Sequence, residues 1–454
     1  MKLLCFDISS GGISAAVFDA DLNSTQFAET RWILETDDQG AAILSLATIE
    51  AQFKQLIREL RVAVVDAVCL DSFMHNFVLL DDAGRPHSPV FTWLDQRGAA
   101  GVDLVRKQIG GRFHELTGCR YHPMFPVFKL AAMDLEQTAR VASVKAFLIH
   151  RLTGRWVEDH GMASASGLFN IQQGEWDSEL LAIVKLNREN LPLIAARTDI
   201  IGSVTDDAAA EFGLAEGTRV VAGSGDGFLA SVGSECEIPA RISVTLGTSA
   251  VARQTLAHPV LNSSAGTFCY QAADSTYLLG CAGSNGGNVL DWGRQILGTL
   301  KDAETSGSPP IFIPLLNGER SPDWNPDLTG SWHGLTALHT TADLSRSILE
   351  GVIFNLAHFV EIVRRASGEE VSDLVLSGNG FLHPLAAPIL AAVTGMPVWK
   401  PAKPGLASLR GAGICCLRAL GRPVPPLNPD RVPPLDDSKI LDRYGEYRRI
   451  RSSL

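Results

Sequence analysis

The sequence has no long apolar run. Its longest apolar tract, around Leu382 to Val398, is broken by His383, Pro384, Pro388 and Pro397. It falls short of the roughly 18 continuous apolar residues that a membrane-spanning helix needs. A basic excess is also missing: 39 Lys and Arg against 50 Asp and Glu give a net charge of −11. That argues against nucleic acid as the main partner, because phosphate backbones attract basic surfaces. A small anionic ligand stays compatible, since it needs only local positive potential and backbone N–H groups. No C-x-x-C pair occurs among the eight cysteines, at 5, 69, 119, 236, 269, 281, 415 and 416. Metal sites and disulfide frameworks show regular spacing, so buried free thiols in a reducing compartment are expected. No signal peptide is expected either, because Asp7 sits in the first apolar run. Together these absences predict a cytoplasmic protein with a small-molecule ligand.

What is present is a chain of 454 residues, too long for one ordinary core and suggestive of two domains. Apolar residues make up 46% and charged residues 20%, the balance of a soluble globular protein. The first 80 residues read as mixed α/β, with short strands at Leu3–Phe6, Ser14–Phe18, Ala67–Leu70 and Phe77–Leu80. Between them, Ile49, Phe53, Leu56, Ile57 and Leu60 recur at helical spacing. Asp81–Gly84 reads as a hairpin turn, 98–152 as mainly helical, and Glu175 to Leu186 as a helix with acids in its first turn. The polar turn at 234–241 marks a domain boundary, giving domains of 1–238 and 239–454. Strand–turn–strand patterning then returns at Ile242–Leu246, Ala250–Gln254 and Thr276–Gly280, and Asp343–Arg364 reads as a long helix. From Pro423 onward the chain is Pro-rich, then charged, and reads as a peripheral tail.

Two strand–small-turn–strand devices carry the chemistry. One runs from Leu3–Phe6 through Asp7 and Ser9–Gly12 into Ile13–Phe18; the other runs from Ile242–Leu246 through Gly247, Thr248 and Ser249. Each offers backbone N–H groups and hydroxyls that can cradle phosphate. Ahead of the second lies Gly223–Gly227, with Asp226 between glycines. A lone Asp in such a stretch is by default a turn residue; on a small-residue loop it can also approach a reacting hydroxyl as a base. Asp7 is read either as an Asx turn or as a ligand for Mg²⁺, which commonly takes one or two carboxylates and keeps several waters.

These pieces, with others in order, resemble the FGGY carbohydrate kinases, two-domain members of the actin/hexokinase-like superfamily. The likeness covers about residues 2–422. It is carried by Asp7–Gly12, Ser72–His75, the W-x-D-x-R element at Trp93, Asp95 and Arg97, and the D-x-x-x-A-S stretch from Asp159. Gly223–Gly227, Leu246–Ser249, Gly318–Pro322, Leu376–Gly380 and Gly411–Gly413 complete it. The resemblance implies an α/β fold of two ribonuclease H-like domains that close on a ligand cleft, and transfer of the γ-phosphate of ATP, with Mg²⁺, to a hydroxyl of a sugar or sugar acid. It implies Asp226 as catalytic base, Asp7 and Asp226 at the metal, and Ser10, Gly11, Gly12, Gly247, Thr248 and Ser249 at the phosphates. Gly378, Asn379 and Gly380, with Gly286 and Gly287, would flank adenosine, and Met74, His75, Trp93, Asp95 and Arg97 would line the sugar pocket. Arg97 is read equally as a partner of Asp95. A homodimer is compatible with the family.

Leu116–Met124 with Lys129, and Ser321–Pro326, lean toward gluconokinases; xylulose and then a polyol such as glycerol are the next substrates. A gluconate carboxylate needs a cation, for which Arg97, His122, Lys129 and Arg320 are candidates, the last two also reading as surface or salt-bridge residues. Two departures stand out: Ser9 replaces a family glycine, and Ser14 stands where a basic residue is common. They motivate the alternative of a sugar- or nucleotide-binding member with reduced turnover.

Overall fold

The chain opens on a tight hairpin. In the computed structural model, which describes residues 1–273, 275–298 and 308–454, Leu3–Ser9 (β1) pairs antiparallel with Gly12–Phe18 (β2). Ser9 lies opposite Gly12, so Ser10 and Gly11 form the turn. β2 continues into Ser24–Arg31 (β3), and the helix Leu46–Leu60 (α1) follows. Ser45 caps α1 by accepting from the Thr48 amide, and the stripe Ile49, Phe53, Leu56, Ile57 and Leu60 is buried. Phe53 sits on Phe6 with ring centroids 4.3 Å apart. The strand Ala67–Ser72 (β4) then pairs parallel with β1. The helix Val144–Thr153 (α2) and the strands Ile200–Ser203 (β5) and Arg219–Gly225 (β6) complete the layer, and Asp226–Gly233 (α3) leaves from the end of β6. The sheet order is β5-β6-β4-β1-β2-β3. β1, β4 and β6 are buried on both sides, as parallel strands covered by helices must be.

The second half repeats the plan. Arg241–Leu246 (β7) and Ala250–Leu256 (β8) form a hairpin around 247–249, and Phe268–Ala273 (β9) and Thr276–Ala282 (β10) extend the sheet beyond β8. The helices Gly287–Leu297 (α4) and Thr341–Ser367 (α5) precede Asp373–Ser377 (β11), which pairs parallel with β7 as β4 does with β1. Ala386–Thr394 (α6), Val398–Lys400 (β12), Asp430–Val432 (β13) and Ile440–Arg451 (α7) follow. The order is β9-β10-β8-β7-β11-β12-β13. The chain divides into two compact units. The first is 1–233 with 269–277 and 408–426; the second is 234–268, 278–407 and 427–454.

Four elements differ from the sequence reading. Glu175 and Trp176 form a short strand against Phe169–Asn170, and the helix is only Ser178–Ile183, because Asp177 is its N-cap and accepts from the Leu180 amide. Within 98–152 the helices are interrupted by a strand at Arg140–Ala142 that pairs with Val78–Leu80. The largest difference is the C-terminus. It is not peripheral: β13 joins the sheet beside β12, and α7 buries Ile440, Tyr444, Tyr447 and Ile450. The long helix begins two residues earlier than Asp343, because Thr340 and Asp343 close a capping box.

Candidate active site

Parallel register brings carboxylates together at one end of the first sheet. Asp7 on β1 lies opposite Asp71 on β4, Asp71 lies opposite Ser224 on β6, and Asp226 is the first residue of α3. Ligands of open α/β sheets bind outside these carboxyl ends of the strands. Asp71 is fully buried, and neither of its carboxylate oxygens accepts a hydrogen bond. Burial, then the Asp7 and Asp226 carboxylates, push its acid well above the ordinary range. Burial and Asp226 push Asp7 up to about 7. Asp226 accepts from the Gly227 amide at 2.7 Å, at the positive end of α3. Asp71 escaped the sequence reading: it falls between the strand Ala67–Leu70 and the Ser72–His75 segment, and neither singled it out.

Such a cluster of hard oxygens suits a divalent cation. Among the described residues no group of three or more His, Cys, Asp or Glu side chains is arranged to hold a metal ion. A cation here would therefore rest on one or two carboxylates and on water, as Mg²⁺ commonly does.

The loop that carries Asp226 is held from below. Lys145, fully buried on α2, donates to the Ala222 carbonyl at 3.1 Å and pairs with Glu158 at 3.0 Å and Asp159 at 2.9 Å. Asp159 in turn accepts from the Ser224 hydroxyl at 2.5 Å. Glycine is obligatory at 223, where φ is +63° and a Cβ would lie 1.9 Å from the Leu70 carbonyl oxygen. At Gly225 a Cβ would meet Met74 Cγ at 2.7 Å, so Met74 packs on the residue preceding Asp226. His75 follows with φ +62°, an uncommon conformation for a residue with a Cβ and one that tends to mark functional sites. Its Nδ1 lies 2.6 Å from the Ala165 carbonyl oxygen, and its ring stands edge-on to Phe125 and Tyr270.

The W-x-D-x-R residues form an internal knot. Arg97 donates to Asp95 through Nε at 3.1 Å and through its terminal nitrogen at 2.6 Å, and the buried Asp95 also accepts from the Ala42 amide at 3.2 Å. Trp93 is partly exposed and packs against the apolar core of the first unit. Lys129 is not a surface residue: it is fully buried and donates to the Pro123 and Met124 carbonyls, both at 2.9 Å. Burial lowers its ammonium to about 7, against the attraction of Asp95. Arg320, in the second unit, is also buried and donates to the Gly283 carbonyl at 2.5 Å. Arg97, Lys129 and Arg320 are thus each committed to internal partners.

In the first turn the Gly11 amide donates to Ser9 Oγ at 3.2 Å, and Ser9 Oγ donates to the Gly12 carbonyl at 3.0 Å. Ser10 offers its carbonyl to the Trp32 indole at 2.9 Å. The region around Gly11 is open, whereas a Cβ on Gly12 would lie 2.3 Å from the Thr30 carbonyl oxygen, so Gly12 is fixed by strand packing.

The second unit gathers its three glycine-bearing loops around the end of β7. A Cβ on Gly378 would lie 2.4 Å from the Leu246 carbonyl oxygen, and one on Gly380 would lie 2.3 Å from Leu246 Cγ. Asn379 touches Gly405 closely enough that a Cβ there would lie 2.0 Å from its Oδ1. The amides of Gly287 and Asn288 donate to the Gly247 and Thr248 carbonyls at 2.8 and 3.1 Å, and a Cβ on Gly286 would lie 2.4 Å from the Ser249 carbonyl carbon. Gly411 and Gly413, by contrast, are set within the first unit by contact with Leu229 and Leu22.

Comparison with known proteins identifies the family. Residues 3–233 match the N-terminal domain, and residues 242–420 the C-terminal domain, of the FGGY family of carbohydrate kinases. A gluconokinase of Bacillus subtilis (strain 168) is 30% identical over 319 residues, 64% of this chain and 62% of that protein, so the match spans less than two thirds of that relative's length. The crystal structures of a ligand-bound xylulose kinase and of a gluconate kinase, both from Lactobacillus acidophilus, superpose over 100% of this chain and 98% of theirs. Each gives a TM-score of 0.90 at 25% identity. No helix of the described residues is long and apolar enough to cross a membrane. The chain belongs to the FGGY family of carbohydrate kinases.

Proposed function

We propose that the chain transfers the γ-phosphate of ATP to a hydroxyl of a sugar or sugar acid, with gluconate as first substrate and 6-phosphogluconate as product. The observation that carries the reading is the convergence of Asp7, Asp71 and Asp226 at the ends of three neighbouring strands, with Met74 packed beside Asp226. Phosphoryl transfer asks little covalent chemistry of a protein; it needs an aligned acceptor and stabilised charge. Asp226 is the base that takes the acceptor's proton. Ser10, Gly11, Gly12, Gly247, Thr248 and Ser249 supply amides and hydroxyls for phosphate. Gly378, Asn379 and Gly380 border the nucleoside. Asp7, with Asp226, would hold Mg²⁺, which supplies charge neutralisation on the phosphates when bound. Met74, His75, Trp93 and Asp95 face the sugar, and Arg97 fixes the geometry of Asp95.

Xylulose is the second substrate, supported by the equal likeness to a xylulose kinase structure. Of the four cations considered for a gluconate carboxylate, Arg97, Lys129 and Arg320 are engaged internally, and His122 accepts from the Met124 amide through Nδ1 at 3.2 Å. The test is ADP release with Mg·ATP against gluconate, xylulose, ribulose, glycerol and erythritol, with Asp226→Asn in parallel. Turnover with one acceptor, lost in Asp226→Asn while nucleotide binding persists, is expected. Nucleotide binding without turnover on any acceptor would favour the binding-only alternative that Ser9 and Ser14 suggest.

A further inference from the structure

We infer that the C-terminal helix α7 is part of the nucleotide-phosphate machinery, with Tyr447 acting as a positioning residue for the 247–249 loop through Asn355 and Glu319. The inference rests on the kinase reading for its activity readout. It starts from an unbroken line of buried polar contacts inside the second unit. Tyr447, with no exposed surface, donates its hydroxyl to Asn355 Oδ1 at 3.0 Å. Asn355, on α5 and equally buried, donates through Nδ2 to Glu319 Oε2 at 2.9 Å. Glu319 Oε1 accepts the Ser284 amide at 2.6 Å and the Arg320 amide at 3.1 Å. That carboxylate therefore fixes the start of the turn 283–286, out of which α4 begins.

The turn meets the phosphate loop backbone to backbone. Gly283 donates to the Ala250 carbonyl at 2.9 Å, and Gly287 and Asn288 donate to the two carbonyls that precede Ser249. The absence of a side chain at 286 and 287 leaves no cushion, since a Cβ at either position would lie within 2.5 Å of loop backbone. A displacement of the turn is therefore passed directly to Gly247 and Thr248. Misplacement of a phosphate-holding group by about 1 Å can cost on the order of a hundredfold in rate. A second tie runs beside the first: Arg451, also on α7, pairs with Asp323 just past Glu319. Tyr447 is packed by Phe354 and Tyr444, with ring centroids at 5.6 and 6.4 Å, and its hydroxyl also meets the Arg451 side chain, which joins the two ties.

The experiment compares Tyr447→Phe, Glu319→Gln and Glu319→Ala of the full chain by melting temperature, calorimetric ADP affinity, and kcat and KM for ATP and for the sugar. Tyr447→Phe removes one buried hydrogen bond. It is expected to weaken ADP affinity or kcat roughly three- to tenfold, with the sugar KM moved less than about twofold. Glu319→Gln keeps an acceptor for both amides and, with the Asn355 amide turned over, a donor for its oxygen. It should therefore retain most of the nucleotide affinity that Glu319→Ala loses. A lower melting temperature with unchanged nucleotide affinity and kcat in Tyr447→Phe would reduce the line to packing and overturn the inference, as would equal nucleotide affinity in the Gln and Ala variants. No turnover on any sugar, with ADP affinity still falling in Tyr447→Phe, would retire the kinase reading and keep the relay.

Discussion

A carboxylate sealed from water without a hydrogen bond is costly unless it is protonated or meets a cation. Asp71 is in that position, and Asp7 shares it in part. Both have folded-state pKa values raised above the ordinary 3.8, Asp7 to about 7. Between those values the folded chain holds a proton that the unfolded chain has released. Stability should therefore be full at acid pH and fall as pH rises, by about 1.4 kcal/mol per pH unit for each such group. The ligand-free protein should melt lower at pH 8 than at pH 5.5, and Asp71→Asn should melt higher than wild type at pH 8 with a flatter pH profile. Equal pH profiles for variant and wild type would show that Asp71 does not titrate this way. Ser14 lies directly across the hairpin from Asp7. A lysine there forms an opposite-charge cross-strand pair, worth roughly 0.2–1 kcal/mol. Ser14→Lys should flatten the same profile, and it should tighten nucleotide binding if this turn meets phosphate. Calorimetric ADP titration checks the second part.

At the scale of elements, the loops at strand ends were legible because they need glycine and small polar residues for reasons visible in the chain alone. What sets those loops in place was not. The Lys145 pairs bring α2 against residues 158, 159 and 222, and no local pattern announces that a lysine in the apolar stripe of Phe147, Leu148 and Leu152 points inward to two acids. Lys145→Met would leave Glu158 and Asp159 buried without their cation. Breaking a buried pair in this way costs about 3–5 kcal/mol. The expected result is a strongly lowered melting temperature, largely recovered when Glu158→Gln and Asp159→Asn are added. No recovery would mean that the lysine stem, not its charge, matters. In the second unit, Gly286→Ala should weaken ADP binding severely, because its Cβ would lie 2.4 Å from the Ser249 carbonyl carbon, and backbone cannot swing aside as a side chain does.

At the scale of the molecule, the repeated hairpin-and-crossover plan and the family were readable from spaced motifs, but the C-terminus was misread. Proline and charge made 423–454 look peripheral, whereas its burial depends on polar aromatic and basic side chains whose partners lie far away in sequence. Arg443 makes two 2.7 Å contacts with Glu350, Tyr444 donates to Glu361 at 2.9 Å, and Tyr447 reaches Asn355. Sequence periodicity counts apolar residues and so cannot see such a helix. Its energetic weight can still be gauged. Full burial of an apolar side chain is worth roughly 1.5–3 kcal/mol, so Ile440, Tyr444, Tyr447 and Ile450 together contribute on the order of 6–12 kcal/mol, as much as the net stability of a typical domain, about 5–15 kcal/mol. Deleting residues 427–454 also removes β13 from the sheet and leaves Glu350 with Arg346 alone of its two arginines. The truncated chain should therefore lose the second unit altogether, with protease cleavage spread through 278–407. A truncated protein that still melts cooperatively within a few degrees of the full chain would return the C-terminus to the periphery.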